Sequence, residues 1–77
     1  MAETAAPATI QAVVGENVRR LRDLRGWSQH RLSMASEIHV TVISGIECGR
    51  RNITISIVDR LAKAFDAHPS ELFQDPR

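Results

Sequence analysis

Apolar residues recur at helical spacing in the first third of the chain. Between Thr9 and Gly26 they follow one another at intervals of three or four residues: Ile10, Val14, Val18, Leu21 and Leu24. This stripe predicts an amphipathic helix that Thr9 caps and Gly26 ends. Gly15 interrupts the pattern at a cost of about 1 kcal/mol relative to alanine, so a helix that starts near Gly15 is the alternative.

Two shorter stripes follow, and their apolar residues share one buried corner. Ser28 is a suitable N-cap for the second helix, and Trp27 before it is placed to pack on Leu32 as a hydrophobic staple. The shared corner comprises, in chain order, Leu32 and Ala35 on the second helix, Ile38 in a turn, and Ile43 and Ile46 on a third helix. Two helices joined in this way form a helix-turn-helix, whose second helix is free to enter the major groove of DNA.

The last third of the chain predicts two further helices and no strand. Gly49 is suited to end the third helix, Thr54 or Ser56 to cap the fourth, and Pro69 to open a short fifth. The core stripe of the fourth helix comprises Ile55, Val58, Leu61, Ala62 and Phe65, with Ile53 and Ile57 left over at its margin, and the fifth helix carries Leu72 and Phe73. We therefore expect one compact all-α domain of five helices over residues 9–77, preceded by a disordered tail over residues 1–8.

The composition is typical of a soluble protein and excludes several classes. Of the 77 residues 43% are hydrophobic and 25% charged, and no apolar run is long enough to cross a membrane. The single cysteine excludes an internal disulfide. Because the N-terminus lacks the basic flank and apolar centre of a signal peptide, we expect a cytoplasmic protein.

Positive charge is concentrated in the middle of the chain. Residues 16–51 carry seven arginines against four acids, a net charge of +3, whereas the segments on either side each carry a net charge of −1. Arginine is the better ligand for phosphate, so this distribution fits a nucleic-acid partner, with an ordinary solvated face as the alternative.

Other kinds of chemistry find no support in the sequence. His30, His39, His68 and Cys48 do not have the spacing of a metal site. No nucleophile elbow or glycine-rich phosphate loop occurs, and so small a domain has little room for a substrate pocket. We therefore expect no metal, no cofactor and no enzymatic activity.

Four segments give the chain a recognisable signature, and together they resemble the XRE family of Cro- and repressor-like helix-turn-helix regulators. The segments are Asn17 to Arg22, Gly26 to Gln29, Ile43 to Glu47, and Pro69 to Phe73. The resemblance implies a lambda-repressor-like DNA-binding fold and double-stranded DNA as the partner. The run from Ile43 to Thr54 is similar in particular to controller proteins of restriction–modification systems.

The resemblance also implies which residues contact DNA. Its base-facing positions are Val40, Thr41, Ser44 and Gly45, and its phosphate or loop positions are Gln29, His39, Arg50, Arg51 and Asn52. Many relatives carry arginine or glutamine at the base-facing positions. Here valine and threonine methyl groups suit thymine methyl groups, and Gly45 would let the backbone come close to DNA. Ordinary packing is the alternative for Val40 and Val42, an exposed polar residue for Gln29, and a solvated loop for the arginines.

Two further positions matter for the geometry of the motif. Arg22 and Glu47 match a family pair that joins the first and third helices through a partly buried salt bridge, with two separate surface charges as the alternative. Glu37 stands where the family usually has a turn glycine. A side chain at positive φ costs about 1 kcal/mol or more, so we expect a strained or differently shaped turn.

The resulting hypothesis is a transcriptional regulator that binds a two-fold symmetric operator as a homodimer. The controller resemblance implies an activator and autorepressor of a restriction gene, with RNA polymerase as a further candidate partner. Dimer contacts are expected in the C-terminal third, at Ile53, Ile57, Leu72 and Phe73, unless these residues complete the core of the monomer. The alternative function is a protein-interaction module, such as an antitoxin-like partner, on the same fold.

Overall fold

The computed structural model describes residues 9–75, which form four α-helices and one 3-10 turn and contain no strand. The elements are α1 (Ile10–Leu24), α2 (Gln29–Ser36), α3 (Val40–Glu47), α4 (Ile55–Phe65) and the 3-10 turn (Pro69–Leu72). The all-α class is confirmed. The expected fifth helix, however, is only the four-residue 3-10 turn, in which the Phe73 amide donates to the Ser70 carbonyl. The tail expected over residues 1–8 lies outside the described range.

Side-chain oxygens cap three of the helices at the predicted residues. Thr9 accepts from the Ala12 amide at 3.1 Å, Ser28 from Arg31 at 3.0 Å and Thr54 from Ile57 at 3.2 Å. α1 therefore begins at Ile10 and not near Gly15, and Thr54 caps α4 in place of the alternative Ser56.

Glycines with left-handed backbone follow two of the helices, as the sequence predicts. After α1, Gly26 has a φ of 67° and the next amide, that of Trp27, reaches back to the Arg22 carbonyl at 3.0 Å. After α3, Gly49 has a φ of 73° and the Arg50 amide reaches the Gly45 carbonyl at 3.0 Å. Both are Schellman motifs, which satisfy carbonyls that a helix end would otherwise leave unpaired.

Eleven buried apolar side chains from every element form one core: Val14, Val18, Leu21, Leu32, Ile38, Ile43, Ile46, Leu61, Ala62, Phe65 and Leu72. Trp27 packs on its edge and stacks on Phe65, with ring centroids 5.8 Å apart. Leu72 is fully buried within its own chain, so the prediction that it is a dimer contact is wrong.

The core differs from the predicted stripes at four residues. Ile10 and Leu24, at the two ends of the α1 stripe, are 58% and 71% exposed. Ala35 is exposed because α2 turns its neighbour Ser36 inward, where the Ser36 hydroxyl bonds the Leu32 carbonyl at 2.7 Å. Ile55, in the first turn of α4, is 88% exposed. Ile53 and Ile57, which the sequence predicts to be available for a dimer contact, are partly buried and pack against the core. The stripe on α4 therefore begins one turn later than its periodicity suggests.

Gly15 is the point at which α1 lies against the end of α3. A Cβ atom there would overlap the Ile46 carbonyl oxygen and lie 3.1 Å from that of Glu47. The glycine that weakens the helical pattern in the sequence is therefore what allows two backbones to approach closely.

An ion pair joins the same two helices, as expected. Arg22 Nε lies 2.8 Å from Glu47 Oε2, Arg22 Nη2 lies 3.0 Å from Glu47 Oε1, and Arg22 Nη1 donates to the Trp27 carbonyl at 2.7 Å. The side chains are only 13% and 6% exposed. This bidentate geometry fixes both the distance and the rotation of α3 relative to α1.

The pKa values of both partners shift in the direction that favours the charged pair. The hydrogen bond to Glu47 raises the pKa of Arg22 against the effect of burial. Burial alone would raise the pKa of Glu47, but hydrogen bonds from Arg22 and Gln29 outweigh it and the pKa is lowered. A depressed carboxyl pKa means that this contribution to stability is complete above the unfolded-state pKa, about 4.3, and is lost as the pH falls through the folded-state value.

Asn17 fastens the C-terminal segment to α1, a role that the sequence did not reveal. It is fully buried, and its amide nitrogen lies 3.0 Å from the Leu72 carbonyl oxygen and 2.7 Å from that of Gln74. Its side-chain oxygen accepts from Arg20 at 3.2 Å. Because a buried amide is costly without partners, Asn17 ties the 3-10 turn to this helix.

We expect Gly15→Ala to destabilise the fold by about 2 kcal/mol, because relief of the overlap must push α1 and α3 apart and this outweighs the gain in helix propensity. Urea unfolding followed by Trp27 fluorescence measures the change. Glu16→Ala is the control, since Glu16 is the exposed neighbour of Gly15 in α1. A Gly15→Ala protein as stable as the control would show that the helices are not in close contact.

We expect Arg22→Ala and Glu47→Ala each to cost about 3 kcal/mol, because each leaves a partly buried charge without its partner. In a double-mutant cycle the two losses should be far from additive. The control is the exposed pair of Asp59 and Lys63, with nitrogen and oxygen 3.0 Å apart, whose coupling should be below about 0.5 kcal/mol. Additive losses for Arg22 and Glu47 would show that the bridge does not contribute.

Candidate nucleic-acid interface

The turn between α2 and α3 places a glutamate where a glycine is usual. Glu37 adopts a left-handed conformation, with φ 60° and ψ 30°, as the sequence predicts. Ser33 donates to the Ile38 carbonyl at 2.6 Å, and the Ser36 hydroxyl accepts from the Ile38 amide at 3.3 Å. Two serine hydroxyls therefore stabilise this turn. The left-handed conformation of Glu37 strains it by about 1 kcal/mol.

α3 presents one face to the core and one to solvent. Ile43 and Ile46 are buried, and Val42 is partly buried against the core, so the packing alternative holds for Val42. Thr41 is exposed, and Val40 and Ser44 are half-buried. The outward surface of α3 that results, which we call the α3 face, comprises Val40, Thr41, Ser44 and Gly45.

Gly45 has a neighbour that the sequence did not predict. The space where its Cβ would lie is not open for DNA, because the side chain of Arg51 crosses it, with Cγ 2.8 Å and Nε 3.2 Å from that position. The glycine therefore admits an arginine from the loop after α3. The long cationic side chain of Arg51 therefore lies on the α3 face, whose own side chains are short. The sequence pattern alone did not indicate this contact.

The other residues predicted to contact DNA lie in different surroundings. Gln29 Nε2 donates to Glu47 Oε1 at 3.0 Å, so its side chain joins the ion pair. Asn52 Oδ1 accepts from Gln11 Nε2 at 3.0 Å, which ties the loop to the start of α1. His39 caps α3 through Nδ1, and Arg50 is exposed. Gln29 and Asn52 thus support the geometry of the motif through bonds inside the chain.

Within residues 9–75 no three histidine, cysteine, aspartate or glutamate side chains come close enough to hold a metal ion. The helices in this range are also too short or too polar to span a membrane. Cys48 is a free, exposed thiol at the end of α3.

Comparison with known proteins gives consistent matches over most of the chain. A helix-turn-helix family model matches residues 18–72. The control protein C.BamHI of Bacillus amyloliquefaciens is 33% identical over 64 residues, which cover 82% of this chain and 79% of that protein.

Two solved structures share the fold. The restriction-modification controller protein C.AhdI from Aeromonas hydrophila matches with a TM-score of 0.79 at 35% identity, over 82% of this chain and 96% of that chain. The C.Esp1396I controller tetramer, solved in complex with its natural 35 base-pair operator, matches with a TM-score of 0.78 at 27% identity, over 87% of this chain and 88% of that chain. The present chain therefore belongs to the XRE-type helix-turn-helix family of DNA-binding transcriptional regulators, with restriction–modification controller proteins among its homologues.

Proposed function

We propose that this protein is a restriction–modification controller that binds a two-fold symmetric operator as a homodimer, with α3 in the major groove. The observation that carries the proposal is the α3 face, which lies outside the core while Arg22 and Glu47 join α3 to α1. A similar controller forms a tetramer in complex with its natural operator, which supports operator binding by an oligomer here. As a controller it would activate or repress a restriction gene, with RNA polymerase as a further partner.

Base readout would rest on the short side chains of the α3 face, with one arginine from the following loop beside them as a phosphate contact. The methyl groups of Val40 and Thr41 suit thymine methyl groups, and the Ser44 hydroxyl can donate or accept. Arg51, which lies across Gly45, supplies the long cation that α3 lacks. Arg50, His39 and Gln29 stand around this face as candidate phosphate contacts, which fix register and orientation on the duplex.

The proposed dimer contact shares Ile53 and Phe73 with the expected one and adds Ile10 and Ile55. Ile10, Ile55 and Phe73 are 58%, 88% and 45% exposed. They line one groove of about 290 Å³, together with the partly buried Ile53. Single exposed apolar residues are ordinary, but a cluster around a groove indicates an interface. We assign this groove to an isologous contact with a second copy, which leaves the α3 face free for DNA.

Selection from random duplex DNA, followed by affinity measurements at two salt concentrations, tests the function. The expected result is a palindromic site with half-sites about 34 Å apart and an affinity that falls steeply with salt, because phosphate contacts release counterions. The lack of arginine or glutamine on α3 itself favours the second candidate, an interaction module that does not read DNA. No enriched sequence, or binding indifferent to salt, would support that candidate instead.

Thr41→Ala should weaken binding to the selected operator much more than binding to unrelated DNA, because it removes a base contact. Arg51→Ala should weaken both, with a salt slope smaller by about one if the guanidinium contacts phosphate. Gly45→Ala should reproduce part of the Arg51→Ala loss without unfolding, since the added methyl displaces a flexible side chain. Equal losses on both DNAs for Thr41→Ala would remove it from the reading surface.

Ile55→Glu should convert a dimer to a folded monomer, because it places a carboxylate in the apolar groove. Sedimentation at micromolar concentration measures the change, and circular dichroism checks the fold. Met34→Glu is the matched control, since Met34 is also exposed, at 68%, but lies on α2 and does not line the groove. A parent that is already monomeric, or an Ile55→Glu protein that stays dimeric, would place the interface elsewhere.

A further inference from the structure

The recognition helix begins with a histidine cap. His39 has extended backbone, with φ −59° and ψ 142°, and its Nδ1 accepts the Thr41 amide proton at 3.1 Å. Only an imidazole that carries no proton on Nδ1 can accept this bond, so the hydrogen-bond pattern assigns the neutral tautomer with its proton on Nε2. Serine, threonine or aspartate would make the same cap without this requirement.

Protonation of this ring has two local effects of the same sign. It replaces the Nδ1 lone pair with an N–H that faces the Thr41 N–H, and it places a positive charge at the positive end of the helix dipole. Both effects loosen the first turn of α3. That turn carries Val40 and Thr41, two of the four residues of the α3 face.

We propose that His39 is a positioning residue for base recognition, and that the protein distinguishes its operator from other DNA only while this ring is neutral. The inference rests on the proposed function. The two states differ in specificity more than in total affinity, because a protonated His39 still attracts phosphate while the misplaced first turn no longer matches base edges.

The His39 ring accepts a hydrogen bond, and charged groups lie on the elements around it. In the described part of the chain no ion pair joins its ring to another residue, and its one ring hydrogen bond is that to the Thr41 amide. The charged or titratable groups on the elements around this turn include Glu37 in the turn, His30 and Arg31 on α2, Glu47 at the far end of α3, Arg22 on α1 and Arg60 on α4. Of these, Arg60 donates to the Glu37 carbonyl at 3.4 Å, and Arg22 is engaged with Glu47.

The other two histidines provide matched controls. His68 is also a cap, whose Nδ1 accepts from the Ser70 amide at 3.1 Å, but it starts the 3-10 turn and not α3. His30 is exposed in the first turn of α2, where the cap is Ser28. Neither of these rings caps α3, so a proton effect specific to the first turn of α3 must depend on His39.

The test compares the parent with His39→Asn, His68→Asn and His30→Asn. Asparagine keeps a side-chain cap acceptor but does not titrate. Affinity is measured for the duplex selected at neutral pH and for a scrambled duplex of the same composition, at about pH 7.5 and about pH 5.5 on either side of the imidazole range. Circular dichroism at both values confirms that each protein is folded.

The ratio of the two affinities in the parent should fall by about fivefold at the lower pH, the factor that corresponds to loss of one N-cap. The ratios of His30→Asn and His68→Asn should fall at the lower pH as the parent's does. The ratio of His39→Asn should not change. A parent ratio that does not change with pH, or a His39→Asn ratio that falls with the parent's, would overturn the inference and leave the proposed function intact. A parent with no preference at pH 7.5 would overturn both.

Discussion

The bidentate pair between Arg22 and Glu47 is the interaction on which the rest of the DNA-binding surface depends. It takes two charges that are almost wholly removed from water and satisfies them with each other, with the Trp27 carbonyl and with Gln29. Such a pair adds little net stability over an apolar replacement, but it is expensive to break, so it specifies one arrangement of α1 and α3. The same arrangement brings the backbone of α3 against Gly15, where only a glycine fits.

α1 acts as the scaffold to which the other functional parts are attached. Gly15 and Arg22 hold α3, Asn17 holds the C-terminal segment, and Gln11 holds the loop that carries Arg51. One helix therefore sets the position of the α3 face and of the groove lined by Phe73. In the proposed homodimer the spacing of the two copies of α3 would therefore depend on α1 and its contacts.

Local signals in the sequence predicted the local features of the fold. Thr9, Ser28 and Thr54 cap helices because capping depends on one side chain and the next two or three amides. Features that depend on contacts between distant segments were not predictable in this way. The periodicity of α4 includes Ile55. Periodicity does not show where the neighbouring elements end, and Ile55 lies beyond them and is exposed. The crossing of Arg51 over Gly45 likewise appears only once the loop is folded back on α3.

The central claim, that α3 held by α1 presents Val40 and Thr41 to the major groove, is tested most directly by NMR of the protein bound to its selected duplex. Methyl groups of Val40 and Thr41 should show intermolecular nuclear Overhauser effects to major-groove protons, including thymine methyl groups. The methyl groups of Ile55, in the groove assigned to the dimer, should show none to DNA. Contacts from Ile55 to DNA, or a bound state without contacts from α3, would contradict the account.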